Sequence, residues 1–532
     1  MKKKNNIFDL SKLKYDSGGV TNFYWPLNTS VSTKNFNYLV KNLMPFVLEH
    51  YPDYPEVRAI KVFSKWFIVD VLKLLDATIL NKNFIDDDVT PVLPDNYIIL
   101  KSLTRKSEIK CNTFTKPLIK KSKVYFYVKN LIKEIIWNYK INKMNILCVN
   151  KDKIKSFKYS SLIKSHAKNR SVWLKPIDLL EYFNDFNTDY VKLKKNKLEQ
   201  FENIINIVDS SFQDVGYELN SYGRNYLYTW LDQAVSFLTQ MSIKKEEIMK
   251  KFVNDKEIWF LSGGSTVYDA AFSDLLRSNN IKVVTHDHGS GNVHCEQTFM
   301  HWVEFIHSDC FIQFNNLSAQ IRKNSIKKEF LLGNNPPEIK SINDFVKAGR
   351  KNIQKNNYHV VFPIKSIMYV PGAMHAEGQR MNPIIHDLTY FDWQIRLVTF
   401  LKKKDLDISI KPHPEGRTKM PLDFAKKMGI HEIKGKFEKI KANVDAYLID
   451  FIFSSTTPSI LSSNKPVIFI DRGYPVLTEE SLIYIKKRCY YIKAKYTNDS
   501  RLDINWDELN DKLNIIDHRI DMTISNTYFE NC

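Results

Sequence analysis

The chain has 532 residues, 43% of them apolar and 13% aromatic, which is enough to bury a large core and too much for one compact unit, so two domains are expected. This composition excludes global disorder, and neither a low-complexity segment nor a repeat of fixed period is present. The 78 Lys and Arg against 59 Asp and Glu give a formal charge of +19, which attracts polyanions: nucleic acid, an anionic membrane face or phosphate-bearing substrates.

The opening "MKKKNNIFDLSKLKYDSGG" has the lysines of a secretory signal but no uninterrupted apolar region and no small-residue cleavage site, so export by that route is not expected. Six cysteines (Cys111, Cys148, Cys295, Cys310, Cys489 and Cys532) show no C-x-x-C spacing and no zinc-finger pairing with histidines, and point to a reduced, cytoplasmic chain. Residues 1–95 read as a helical region with loops around "YPDYPEV" and "DDDVTPVLPDN". Within it, "FSKWFIVDVLKLLDATIL" (63–80) carries Lys65, Asp70, Lys73 and Asp76 at near-helical spacing, which predicts a buried amphipathic helix and not a membrane span.

From residue 96 the apolar runs shorten. "KVYFYV" (123–128) and "MNILCVN" (144–150) are strand-like in composition, whereas 190–252 reads as long helices, with the basic block "KLKKNKLEQ" (192–200) as a solvated face. No RNP strand, recognition-helix pattern or zinc knuckle is present, so nucleic acid is not an expected partner. Then "EIWFLSG", "GSTVYDAAFSDLLRSNN" and "IKVVTHDHGSGN" run strand, helix, strand, the βαβ pattern of a parallel sheet.

The polar, Pro-Pro-bearing stretch 334–356 separates this series from a second one and predicts an interdomain linker, placed at 341–356. After it come strand "YHVVFPI", a long loop through "YVPGAMHAEGQRMNP", a helix near 388–403, strand "LDISIK", the "PHPEGR" loop, strand "AYLIDFIF", the "SSTTPS" turn into a short helix, and strand "PVIFID". The expected division is 1–95 helical, 96–340 a Rossmann-like domain, 357–500 a second one, and 501–532 a helical tail. Each polar loop sits at the C-terminal end of a strand, the ligand edge of open parallel sheets.

Two loops of the second domain carry the strongest chemistry. Ser454, Ser455, Thr456 and Thr457 stand at a strand-to-helix turn, where hydroxyls and free N–H groups suit a phosphate, although plain helix capping uses the same residues. In "KPHPEGR", Pro412 and Pro414 fix the backbone on both sides of His413, and Lys411 and Arg417 add cationic donors near Glu415. In the first domain, "THDHGSGN" brings His286, Asp287, His288, Gly289 and Ser290 to a strand end. Asp287 and His288 are both suited to take a proton from a hydroxyl. Metal ligation by His286, His288 and His294 is the alternative for this loop, but the Gly-Ser-Gly between them fixes no facial geometry, and no metal is expected. Gly263, Gly264 and Ser265 form a tight turn at the same edge that lacks the Gly-Lys-Ser/Thr ending of a P-loop, and the polar loop 371–380 brings His375, Glu377 and Arg380 within range of a cleft.

"KPHPEG" followed by "DFIFSSTTPSILSSNKPVIFID" resembles the HP and Ser-Ser/Thr motifs of bacterial sialyltransferases and polysialyltransferases. It is also similar to the Kdo transferases of capsule synthesis and the CDP-glycerol glycerophosphotransferases. The resemblance spans 255–475 and implies a GT-B fold, two facing Rossmann-like domains, with a cytidine-nucleotide donor and no cofactor. It implies that His413 and Pro414 contact the CMP, that Ser454, Ser455 and Thr456 grip its phosphate, and that the Asp287-His288-Gly289 motif supplies the base. Histidine stands there where a second acid is expected, so Asp287 and His288 remain alternatives.

The expectation is a cytoplasmic, metal-independent glycosyltransferase, held peripherally at an anionic membrane face. It would move a nonulosonic acid (sialic, pseudaminic or legionaminic acid) or Kdo from a CMP-activated sugar to a surface glycan or its lipid-linked precursor. A CDP-glycerol-type phosphotransferase and a non-enzymatic basic polyanion-binding scaffold are the alternatives.

Overall fold

Long apolar runs at helical spacing make the first part of the chain largely helical. The fold is that of a computed structural model, which describes residues 6–9, 14–16, 18–21, 23–25, 27, 29–51, 53–93, 97–109, 111, 146–149, 200–246, 249, 257–260, 267–287, 294, 305–313, 316–326, 331–341, 358–361, 363–372, 387–412, 428–433, 437, 444–452, 456–473, 476–514 and 517–521. Three short strands come first: β1 (Asn6–Asp9), β2 (Tyr15–Asp16) and β3 (Gly19–Val20). Helices α1 (Thr29–His50) and α2 (Pro55–Asp86) follow, then β4 (Val89–Val92), which pairs with β1, and α3 (Ile98–Thr104). Proline opens α2 because its missing N–H lacks a helical partner at that position anyway.

Helices α4 (Phe201–Gln213) and α5 (Ser221–Ile243), far along the chain, pack onto α1 and α2. Trp230 of α5 is fully buried with its ring centroid 5.1 Å from that of Phe67, and its indole N–H donates to Asp70 at 3.1 Å. Asp70 also accepts from Lys73 at 2.8 Å, so this buried carboxylate of the 63–80 run is paired. The helix is kinked at Phe63 (φ −110°, ψ 22°), where the backbone at Val62 bonds to the His307 ring from another segment. Among the described residues, no helix is long and apolar enough to cross a membrane.

A five-stranded parallel sheet follows, its strands side by side in chain order: β5 (Ile146–Val149), β6 (Glu257–Phe260), β7 (Val283–His286), β8 (Cys310–Gln313) and β9 (Glu338–Ser341). Helix α6 (Val267–Arg277) connects β6 to β7, and α7 (Asn316–Ser325) connects β8 to β9. Strand β9 falls inside the polar stretch expected to be a linker. As an edge strand it needs little apolar character, with Ile339 buried and Glu338 exposed.

In the last third, β10 (Tyr358–Val361) precedes β11 (Ser366–Val370), α8 (Asp387–Lys402), β12 (Asp407–Ile410), β13 (His431–Glu432), β14 (Ala446–Ile449), α9 (Thr457–Leu461), β15 (Val467–Asp471), α10 (Glu479–Arg488) and β16 (Tyr490–Lys493). The six strands β13-β12-β11-β14-β15-β16 form one parallel sheet, which in chain order is third, second, first, fourth, fifth, sixth. That is the doubly wound, Rossmann-like order, and its direction reverses between β11 and β14. Two readings are corrected here. The first strand of the sheet is "SIMYV" (β11), read as loop, whereas "YHVV" (β10) pairs antiparallel with β19 (Asp517–Ile520). The expected helical tail holds, besides α11 (Trp506–Leu513), the short strand β18 (Leu502–Asp503), which pairs with β17 (Lys495–Tyr496), and β19 itself.

The N-terminal strands reach across to this last third. The Val20 N–H donates to Asp392 on α8 at 2.8 Å, the Ser500 hydroxyl donates to the Leu27 carbonyl at 2.7 Å, and Arg501 donates to the Gly18 carbonyl at 3.2 Å. Gly19 has φ +107°, and a Cβ there would lie 2.2 Å from the Asp392 carboxylate, so the close approach requires glycine.

Candidate functional site at the sheet edges

The two motif loops of the second domain leave β12 and β14, the neighbours of β11 on either side, at the C-terminal edge of the sheet. Their starting points are thus two strand spacings apart, about 10 Å, at the reversal point where doubly wound sheets bind ligands. Lys411, immediately after β12, is buried. Its N–H donates to the Tyr369 carbonyl and its ammonium to the Pro412 carbonyl, both at 3.0 Å. After β14, the Thr456 carbonyl accepts from the Ile460 N–H, and the hydroxyl of buried Thr457 has no partner among the described residues. Helix α9 is only five residues long, so the phosphate site expected at its start depends on hydroxyls and backbone N–H groups, with little help from a helix dipole. His413, Pro414, Glu415, Arg417, Ser454, Ser455, His375, Glu377 and Arg380 lie outside the described residues.

The run "AYLIDFIF" is not one strand. It stops at Ile449 because Asp450 turns into the protein and is captured there. One carboxylate oxygen accepts from the Tyr390 hydroxyl at 2.8 Å and the Gly372 N–H at 3.2 Å; the other accepts from the Tyr369 hydroxyl at 2.6 Å and the Trp393 indole at 3.0 Å. Burial and then the Asp450 charge push the Tyr369 and Tyr390 hydroxyls above their ordinary values, so both stay protonated as donors. Arg472, directly after β15, is buried beside this cluster, with its guanidinium 4.2 Å from the Tyr390 ring centroid and 5.4 Å from that of Phe451. Reasoning from sequence missed Asp450, Tyr369, Tyr390, Trp393 and Arg472. The available signal was a carboxylate inside a wholly apolar run, which a buried parallel strand does not carry without partners.

At the edge of the first sheet, Asp287 follows β7 and is fully buried. Its N–H donates to the Ile312 carbonyl of β8 at 3.0 Å. With the Gln313 amide turned so that both its atoms are satisfied, the Gln313 nitrogen donates to the Asp287 carboxylate at 3.0 Å and its oxygen accepts from Arg322 at 3.3 Å. Asp287 is therefore tied into a buried chain that runs to α7. His286 ends β7; the His286 side chain, His288, Gly289, Ser290, Gly263, Gly264 and Ser265 lie outside the described residues.

His294 is also buried. Its Nδ1 is 3.2 Å from the Ser481 hydroxyl on α10, and its carbonyl accepts from the Thr478 N–H at 3.0 Å. It thus links the chain beyond β7 to the second domain. Among the described residues, no group of three His, Cys, Asp or Glu could hold a metal ion.

The buried histidines set an acid limit. Burial and then the Arg322 charge lower His294 to about 3. Burial, Arg277 and Lys65 lower His307 to about 3. Between the ordinary histidine value near 6.5 and about 3 the unfolded chain binds these protons and the folded one does not. Stability is therefore full above pH 6.5 and falls with acidification, by up to about 1.4 kcal/mol per pH unit for each ring. Asp76, raised by burial to about 7, works in the opposite direction below that pH, one group against two. Urea unfolding at pH 7 and pH 5 should show a loss in the wild type that shrinks in His307→Gln; an equal loss in both would remove His307 as a cause.

No protein-family model matches the chain, and no curated protein does.

Proposed function

We propose that the chain is a GT-B glycosyltransferase that moves a nonulosonic acid or Kdo from a CMP-activated donor to a glycan or lipid-linked glycan acceptor. The observation that carries this is the strand order of the second domain. The "KPHPEGR" (411–417) and "SSTTPS" (454–459) stretches follow the two strands flanking β11, at the reversal point of a doubly wound sheet. In this reading His413 and the hydroxyls of Ser454 and Ser455 hold the CMP phosphate and stabilise the charge it gains as the sugar departs. The base is drawn from the loop after β7. Asp287 is buried and bonded to Gln313, which favours its neighbour His288 as the group that deprotonates the acceptor hydroxyl, with Asp287 anchoring the loop. The charge of +19 suits work at an anionic membrane face.

The test is a thermal-shift titration of the full chain with CMP, CDP, UDP and GDP. CMP or CDP is expected to raise the melting temperature selectively, by several degrees at a hundredfold excess over Kd, and His413→Ala is expected to abolish the shift. Stabilisation by UDP or GDP instead would make the cytidine assignment wrong. No response to any of the four would leave the transferase reading without support and favour the polyanion-binding scaffold.

A further inference from the structure

Among the described residues, the other buried arginines, Arg488 and Arg322, have hydrogen-bond acceptors, although Nη1 of Arg488 and Nη2 of Arg322 are without one. Arg488 donates to the carbonyls of Leu461, Ser463 and Lys465, and Arg322 donates to Gln313. Arg472 is different. It is 3% exposed, yet no carbonyl, hydroxyl or carboxylate among the described residues accepts a hydrogen bond from it, and its Nε is buried without a partner. The guanidinium is held by the rings of Tyr390 and Phe451. The nearby Asp450 carboxylate already serves Tyr369, Tyr390, Trp393 and the Gly372 N–H.

A buried cation with unused donors is costly to keep, and the cost is recovered when an anion completes it. The position fits such a ligand, since Arg472 begins the loop after β15, next in the sheet to β14 and its hydroxyl-rich turn, at the ligand edge. With two aromatic rings as its neighbours, the guanidinium keeps its planar fork of N–H groups for a pair of oxygens.

We propose that Arg472 is an oxyanion-binding residue of this edge, receiving two oxygens of a phosphate or a carboxylate on its unspent N–H groups. A CMP-activated nonulosonic acid carries both anions, so the assignment to the donor rests on the function proposed above, whereas the anion site itself rests on Arg472 and its surroundings. Arg472 would be the residue that recognises the donor's charge independently of the His413 loop.

The experiment titrates the full chain, wild type and Arg472→Lys, with CMP, cytidine, inorganic pyrophosphate and N-acetylneuraminic acid by calorimetry. Lysine keeps the charge and loses the fork and the stack. A tenfold or greater loss of CMP affinity in the variant, with cytidine unaffected, assigns the site to phosphate. The same loss for N-acetylneuraminic acid, with CMP unaffected, assigns it to carboxylate. Binding of pyrophosphate that depends on Arg472 in a chain that ignores CMP and cytidine upholds the anion site and overturns the cytidine donor. A folded Arg472→Lys that binds every anion as the wild type does, or a wild type that binds none, overturns the proposal. Should Arg472→Lys fail to fold, a crystal structure of the wild type with pyrophosphate decides: an oxygen on the guanidinium supports the site, and an anion bound elsewhere sinks it.

Discussion

Asp450→Ala should cost the protein about 4 kcal/mol or more, the largest stability loss expected from a single substitution at the candidate site. The change strips three buried donors of their acceptor at once, the hydroxyls of Tyr369 and Tyr390 and the Trp393 indole, while the Gly372 N–H keeps its 2.7 Å bond to the Tyr390 hydroxyl. Each buried donor left unmet costs about 1–3 kcal/mol, and water entering the space left by the side chain recovers only part of that sum. Arg472 would also lose a negative charge that offsets its burial. Asp450→Asn, which keeps the volume and one acceptor oxygen, should lose about half as much. Urea unfolding followed through the near-ultraviolet signal of Trp393 measures both. A loss under 1 kcal/mol for the alanine variant would show that the cluster contributes little to holding β11, α8 and β14 together.

The second large effect is on chemistry. His288→Ala is expected to lower kcat for sugar transfer by about 10²- to 10⁴-fold, the usual contribution of a positioned base, while leaving CMP affinity within twofold of the wild type. The separation follows from the fold, because His288 comes after β7 of the first sheet and the motifs proposed to hold the nucleotide belong to the second. Asp287→Asn serves as the counterpart. If it loses transfer while His288→Ala keeps it, the base is Asp287 and its buried bond to Gln313 opens during the reaction.

Much of the architecture was legible because the local signals agree with the tertiary outcome. The run "PVIFID" is apolar and rich in β-branched residues, and it becomes β15, buried on both faces of a parallel sheet. The apolar run at 63–80 lies within α2 for the same reason. Where reading failed, the deciding partner was remote. "YHVV" and "SIMYV" look alike to a propensity argument, and only pairing with Asp517–Ile520 diverts the first of them from the main sheet. Likewise a lone carboxylate in an apolar run signals that Asp450 has partners but not which, since they come from 57, 60 and 81 residues away. The two motif loops were visible in the sequence, but their separation by a single strand emerged only from the strand order.

The contact made by Gly19 and Val20 bears on how the chain is made. Asp392 is fully buried, accepts from the Val20 N–H and from Arg396 at 2.8 Å, and is ion-paired with Arg501 at 3.4 Å, so the strap that covers it is synthesised 372 residues before the carboxylate it satisfies. During translation the strap has nothing to dock on until α8 has emerged, and Arg501 arrives later still. Final consolidation of this contact therefore waits for Arg501 and closes a very long loop, with the helical segments waiting in the meantime. For the same reason the last third, expressed alone, would bare Asp392 and a cluster of arginines to solvent. The doubly wound sheet is thus a part of this protein and not a module that can be cut from it intact.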